Sequence, residues 1–161
     1  MGQRVQVTEL IESAYRESLC PSSRQLACLL GGAVGDALGY RVEFKRWAEI
    51  ERQYGPAGIR LSACSGPLLV SDDTQMTLYT LEGLARAKRV EEIVPEVREA
   101  YLDWLRTQGY RIERSLRGEL AKVTELRHLR APGNTCLSAW RKGGRGSVES
   151  AINDSKGCGG V

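Results

Sequence analysis

The run Ser71-Asp72-Asp73-Thr74-Gln75-Met76 sets two adjacent carboxylates among hydroxyls, and an earlier stretch, Gly35-Asp36-Ala37-Leu38-Gly39-Tyr40-Arg41-Val42-Glu43, carries two more acids. Like charges held together raise each other's pKa unless a cation neutralises them. Oxygen-only donor sets suit hard divalent ions such as Mg²⁺, Mn²⁺ or Ca²⁺ rather than zinc. The first chemistry these residues suggest is therefore a metal site. Other apparatus finds little support. His128 is the only histidine and sits in a charged stretch, which disfavours a Ser-His-Asp or Cys-His centre. No Gly-Lys-Ser/Thr follows any glycine-rich stretch, so a P-loop is not expected.

Positioning those acids falls to helices. Ser22-Ser23-Arg24-Gln25 after Pro21 reads as a capping box. The helix it opens has an apolar face of Leu26, Leu29, Leu30, Ala33, Val34, Ala37 and Leu38. A second stripe at helical spacing, Gly32, Gly35, Asp36, Gly39 and Glu43, is predicted on the same helix. Each mid-helix glycine costs about 1 kcal/mol relative to alanine, so the stripe implies close approach of another backbone or room for a ligand. A short helix is predicted near Trp47–Tyr54, then a turn-rich loop over 55–66. Ser71 and Asp72 should open a helix reaching about Ala87, and its apolar content (Met76, Leu78, Tyr79, Leu81, Leu84, Ala85) predicts burial. Glu91–Thr107 reads as amphipathic, with Pro95 in its first turn and Asp103 on its polar side. A helical piece is predicted around Glu113–Leu129, and a short helix through Arg141 capped by Asn134 or Thr135. With no βαβ alternation the fold class is all-α.

Bulk properties narrow the class further. The 161 residues suit one domain, and 42% hydrophobic with 27% charged residues is the composition of a soluble globular chain. A net charge of +3 does not ask for a polyanionic partner, and the Lys/Arg between Arg106 and Arg130 alternate with Glu113, Glu119 and Glu125 as on a solvated helix. Neither nucleic acid nor membrane is expected as a partner: apolar runs such as Leu26–Val34 are too short to span a bilayer. The first residues, carrying Arg4, Glu9, Glu12, Arg16 and Glu17, do not resemble a secretory signal. Cys20, Cys28, Cys64, Cys136 and Cys158 form no Cys-x-x-Cys pair and read as free thiols of a cytoplasmic protein.

Four segments in series resemble the ADP-ribosylglycohydrolase family, which includes the dinitrogenase reductase-activating glycohydrolases. They are Gly31-Gly32-Ala33-Val34-Gly35-Asp36-Ala37-Leu38-Gly39 with Glu43; Ser71–Met76; Gly133-Asn134-Thr135-Cys136-Leu137; and Asn153-Asp154-Ser155-Lys156-Gly157-Cys158-Gly159-Gly160. The resemblance implies a mostly orthogonal helix bundle with a binuclear Mg²⁺ or Mn²⁺ centre. The implied activity is hydrolysis of the bond joining ADP-ribose to a protein side chain or small adduct. By position it implies Ser71, Asp72 and Asp73 as metal ligands, and Glu43, Asp72 and Asp73 as catalytic. Asp36, Asn153, Asp154, Ser155, Gly157, Gly159 and Gly160 are implied as substrate-binding.

The family's second acidic cluster, of Asp-x-Asp type, has no match: the aspartates are 36, 72, 73, 103 and 154. The chain is accordingly expected to be the N-terminal portion of a single truncated domain, with residues 1–21 an extension and 22–161 family-like. On its own it should be an impaired hydrolase, or an inactive fragment that binds ADP-ribose or a partner such as a missing C-terminal half.

Overall fold

In a computed structural model, residues 21–147 and 149–155 are described. Helices α1 (Pro21–Tyr40), α2 (Trp47–Tyr54), α3 (Asp72–Arg86), α4 (Val90–Thr107) and α5 (Asn134–Arg141) are joined by loops and three short 3₁₀ turns, with no strand among the described residues. The protein is all-α, as its periodicity predicts. It divides into two compact units, Met1–Leu69 and Val70–Val161.

In the first unit the described part of α1 begins at Pro21, and the side chain of Ser22, the expected cap, lies outside what is described. Of the expected apolar face Ala37 is buried, Leu29, Leu30, Ala33, Val34 and Leu38 are half-buried, and Leu26 is exposed. The helix ends at Tyr40, earlier than the acidic stripe required. Val42 N–H bonds Gly39 O at 2.9 Å and Lys45 N–H bonds Val42 O at 2.8 Å. The Arg41 guanidinium fixes this turn by donating to the carbonyls of Ser65 and Pro67. Glu43 therefore stands on an exposed turn, off the helix that carries Asp36. Close backbone approach does not account for the α1 glycines, since a Cβ built on Gly31, Gly32, Gly35 or Gly39 meets nothing within 4 Å. At α2 the carboxylate of Glu49 accepts the Arg46 N–H at 2.8 Å, and Gly55 leaves the helix with φ of 80°.

The second unit is organised by α3 against α4. Met76, Tyr79, Ala100, Tyr101, Trp104, Leu105 and Leu126 form its core, flanked by Val97, Tyr110, Ile112, Leu137 and Trp140. The two helices come so close at Gly83 that a Cβ there would strike the Val97 backbone, within 2.7 Å of its nitrogen. Backbone cannot yield as a side chain can. Gly83→Ala should lose about 1–3 kcal/mol in urea unfolding despite alanine's better helix propensity. An unchanged midpoint would mean the helices do not meet there.

Burial of α3 is one-sided, because Leu84 and Ala85 are exposed. Pro95 lies in the second turn of α4, where its missing N–H leaves the Glu91 carbonyl to water near an exposed helix end. Asp103, expected on a polar face, is fully buried. Only the 3₁₀ turns Leu120–Lys122 and Thr124–Arg127 form where a helix over Glu113–Leu129 was predicted.

Burial pushes the Tyr79 hydroxyl up to about 12 from its ordinary 10, with the Thr107 side chain pulling the other way. The unfolded chain therefore releases this proton first. The Tyr79 contribution is complete below pH 10 and fades as pH rises from 10 through 12. Tyr79→Phe should flatten the fall of the unfolding midpoint in that window. An equal slope in both proteins would exclude Tyr79 as its source.

Candidate active site

Ser71 begins the site as the N-cap of α3: its Oγ accepts the Asp73 N–H at 3.1 Å. Asp72 and Asp73 occupy the first turn, where the helix dipole offsets part of their mutual repulsion. They are not equivalent. Asp72 is buried and Asp73 is exposed.

A loop from far along the chain holds Asp72 on both sides. Its N–H donates to Arg130 O at 2.9 Å, and its Oδ2 accepts the N–H of Gly133 at 3.4 Å. Between those anchors Ala131 has a φ of 57°, a left-handed conformation uncommon for any residue with a Cβ. Such strain persists only where surrounding contacts over-determine the backbone. Gly133, and not Asn134 or Thr135, is the N-cap of α5.

Gln75, fully buried one turn into α3, secures the arrangement from beneath. Its Oε1 accepts both Trp104 Nε1–H and Gln108 Nε2–H at 3.2 Å, and its Nε2 donates to His128 O at 3.0 Å. Sequence reasoning gave this glutamine no role. What could have flagged it is a lone amide between a cap and an apolar run.

Two expected substrate residues lie against α5. Asn153 donates to Thr135 O at 3.3 Å and Ser138 Oγ at 3.0 Å, while its own Oδ1 accepts the Ser155 N–H. The Ser155 and Thr135 hydroxyls are 2.6 Å apart. Asp154 is exposed, and Gly157, Gly159 and Gly160 fall outside the described residues. Asp36 is half-buried on α1, in the first unit with Glu43.

Chemically, the Ser71 hydroxyl and the Asp72 and Asp73 carboxylates fit a hard dication. As a cage they are incomplete: among the described residues no group of three or more His, Cys, Asp or Glu could hold a metal ion.

The sequence model of the family described as ADP-ribosylglycohydrolase matches residues 18–161, so the chain belongs to that family. It is also similar to the ADP-ribosyl-[dinitrogen reductase] glycohydrolase of Rhodospirillum rubrum, with 36% identity over 91 residues. That match covers 53% of this chain and 29% of the relative, so the aligned part is under a third of the relative's length. No solved structure matches it. Among the described residues no helix is long and apolar enough to cross a membrane.

Proposed function

We propose that this chain is the N-terminal portion of a metal-dependent hydrolase domain. It would act in the cytoplasm on the glycosidic bond between ADP-ribose and a protein side chain or small adduct. The observation that carries the reading is Asp72: a buried carboxylate fastened by backbone bonds, beside a second carboxylate, in a chain of this family. Ser71, Asp72 and Asp73 would hold Mg²⁺ or Mn²⁺ in one part of a binuclear centre. A bound dication supplies Lewis acidity and a water acidic enough to attack at neutral pH. The residues themselves do the positioning. Asp72 is fixed before any ligand arrives, so little ordering is needed on binding. Asp73 presents the second charge toward solvent. By the resemblance of its motif, Glu43 would supply carboxylate charge to stabilise an oxocarbenium-like transition state. Asp36, Asn153, Asp154 and Ser155, with Gly157, Gly159 and Gly160, would hold the ADP-ribose.

A second reading is favoured by the donor count. Two dications need more carboxylate oxygen than Asp72, Asp73 and Glu43 supply, and no Asp-x-Asp pair is present. The chain alone would then bind ADP-ribose or a partner without turnover, its remaining ligands coming from a C-terminal half. Calorimetry with Mg²⁺, Mn²⁺ and ADP-ribose separates the readings when joined to a release assay. Metal affinity should fall by about tenfold or more in Asp72→Ala/Asp73→Ala, as loss of paired carboxylates implies. Unchanged binding in that variant would end the metal reading. Rapid ADP-ribose release by the wild-type chain would end the binding-only one.

A further inference from the structure

At the far end of α5 from Asp72 lies a cavity of about 490 Å³, within the range of small-molecule sites. Asp72 meets α5 at its N-cap Gly133 and Arg141 is its last residue, so about 12 Å of helix separates the two places. Its lining includes the aliphatic side chains of Leu102, Leu105 and Ile112 and the aromatic residues Tyr110 and Trp140. Two guanidiniums, Arg111 and Arg141, complete the lining with Glu113 and Gly143.

The arginines make this more than a dimple. Arg141 is seated over the Tyr110 ring, 5.3 Å from its centroid, which orders the guanidinium without engaging its N–H donors. Neither Arg111 nor Arg141 has a hydrogen-bond or ion-pair partner among the described residues, whereas Arg86, Arg98, Arg114 and Arg117 are all paired with acids. Trp140 is held in turn by the Tyr101 ring at 4.7 Å on the core side. Gly144, with φ of 60°, lies so close to Trp140 that any side chain there would collide with the indole. Glu113 leaves the lining with a net charge of about +1, counting the two arginines.

The geometry points to a second ligand site, separate from the Asp72 cluster. It would take a small molecule with a planar aromatic body and one oxyanion, phosphate or carboxylate. The aromatic body would pack against the leucine, isoleucine and aromatic lining, and the oxyanion would take the forked donors of Arg111 and Arg141. Glu113 accepts from a donor on the ligand.

Calorimetry on the full chain in EDTA tests this independently of any metal, so its failure and the failure of the metal reading are told apart. The probes are AMP, 4-hydroxybenzoate, adenosine and inorganic phosphate. AMP or 4-hydroxybenzoate should bind saturably and more tightly than adenosine or phosphate, and the winner identifies the oxyanion. Arg111→Gln/Arg141→Gln, both exposed, should weaken that binding by about tenfold or more while leaving the unfolding midpoint in place. Tyr110→Phe should retain it, and Tyr110→Leu should lose it. The inference is overturned if neither aromatic anion binds by millimolar concentrations, if the double variant binds as the wild type does, or if phosphate alone matches AMP.

Discussion

Asp103→Ala should be the most destabilising single substitution in the second unit, at about 3–5 kcal/mol in urea unfolding. The carboxylate has no solvent exposure. Its Oδ2 accepts the N–H groups of Arg117 and Gly118 at 3.1 and 2.7 Å, and its Oδ1 pairs with Arg114 Nη2 at 2.7 Å. Around it Glu82, Glu96 and Glu99 face Arg86, Arg98, Arg114 and Arg117, so four acids balance four guanidiniums. Removing Asp103 leaves one excess positive charge and two orphaned backbone donors in a place water does not reach. The Arg117 bridges to Glu96 and Glu99 contribute far less, because Arg117 is half exposed and its charge is screened. Asp103→Asn should lose less, because a carbonyl in the place of Oδ2 keeps the acceptor for both backbone donors, while its amide replaces Oδ1 opposite Arg114. Faster amide exchange at Arg117 and Gly118 would show that the segment has lifted. A loss under about 1 kcal/mol for the alanine variant would contradict the arrangement.

This cluster also shows where the sequence stops being informative. Helices α2 to α4 follow from periodicity, and the Ser71 cap from residue type alone, because those signals are local. Asp103 is different. Ala100 through Leu105 are all buried, so that stretch of α4 has no polar face for periodicity to find. An acid inside an apolar run, followed by an arginine-rich stretch, was the available signal. The absent helix over Glu113–Leu129 has the same cause. The N–H groups of Arg117 and Gly118 go to Asp103 and that of Leu120 to Glu82, so these donors are withdrawn from an i→i−4 ladder by side chains of α3 and α4. Interleaved charge there marks a strap over buried carboxylates, not a solvated helix.

The candidate site divides along the same line. Adjacent acids at a helix start could be read from the chain, but their inequivalence could not. Asp72 is buried because Arg130 and Gly133 reach it from some 60 residues away, across a loop whose left-handed Ala131 no pattern announces. The placement of Glu43 failed for a smaller reason. The chain turns after Tyr40 under the hold of Arg41, and a stripe drawn at helical spacing ran past the helix it assumed.

Gln75→Leu carries the second large effect, about 2–4 kcal/mol, and reaches the site as well as the core. The replacement is apolar and of similar bulk, so the loss is mainly polar. It strands the indole N–H of Trp104, which is wholly buried, and removes a partner from Gln108 and from the His128 carbonyl. Each buried group left unsatisfied costs about 1–3 kcal/mol, and the hydrophobic gain of leucine offsets part of the total. The His128 bond matters most for function, because it anchors the loop that two residues later gives Arg130 O to Asp72 N–H. With that anchor gone, the loop through Ala131 should relax toward an unstrained backbone, and Asp72 should lose its fixed setting. Gln75→Leu is therefore expected to weaken binding of the dication proposed for Asp72 and Asp73, under conditions where the variant is still folded. Gln75→Glu separates the two effects. It keeps an acceptor for Trp104 but loses the donor to His128 O, so the loop should loosen while the indole stays satisfied. Equal stability and equal metal affinity in wild type and Gln75→Leu would show that the amide is a filler and that Asp72 is held by its own two bonds alone.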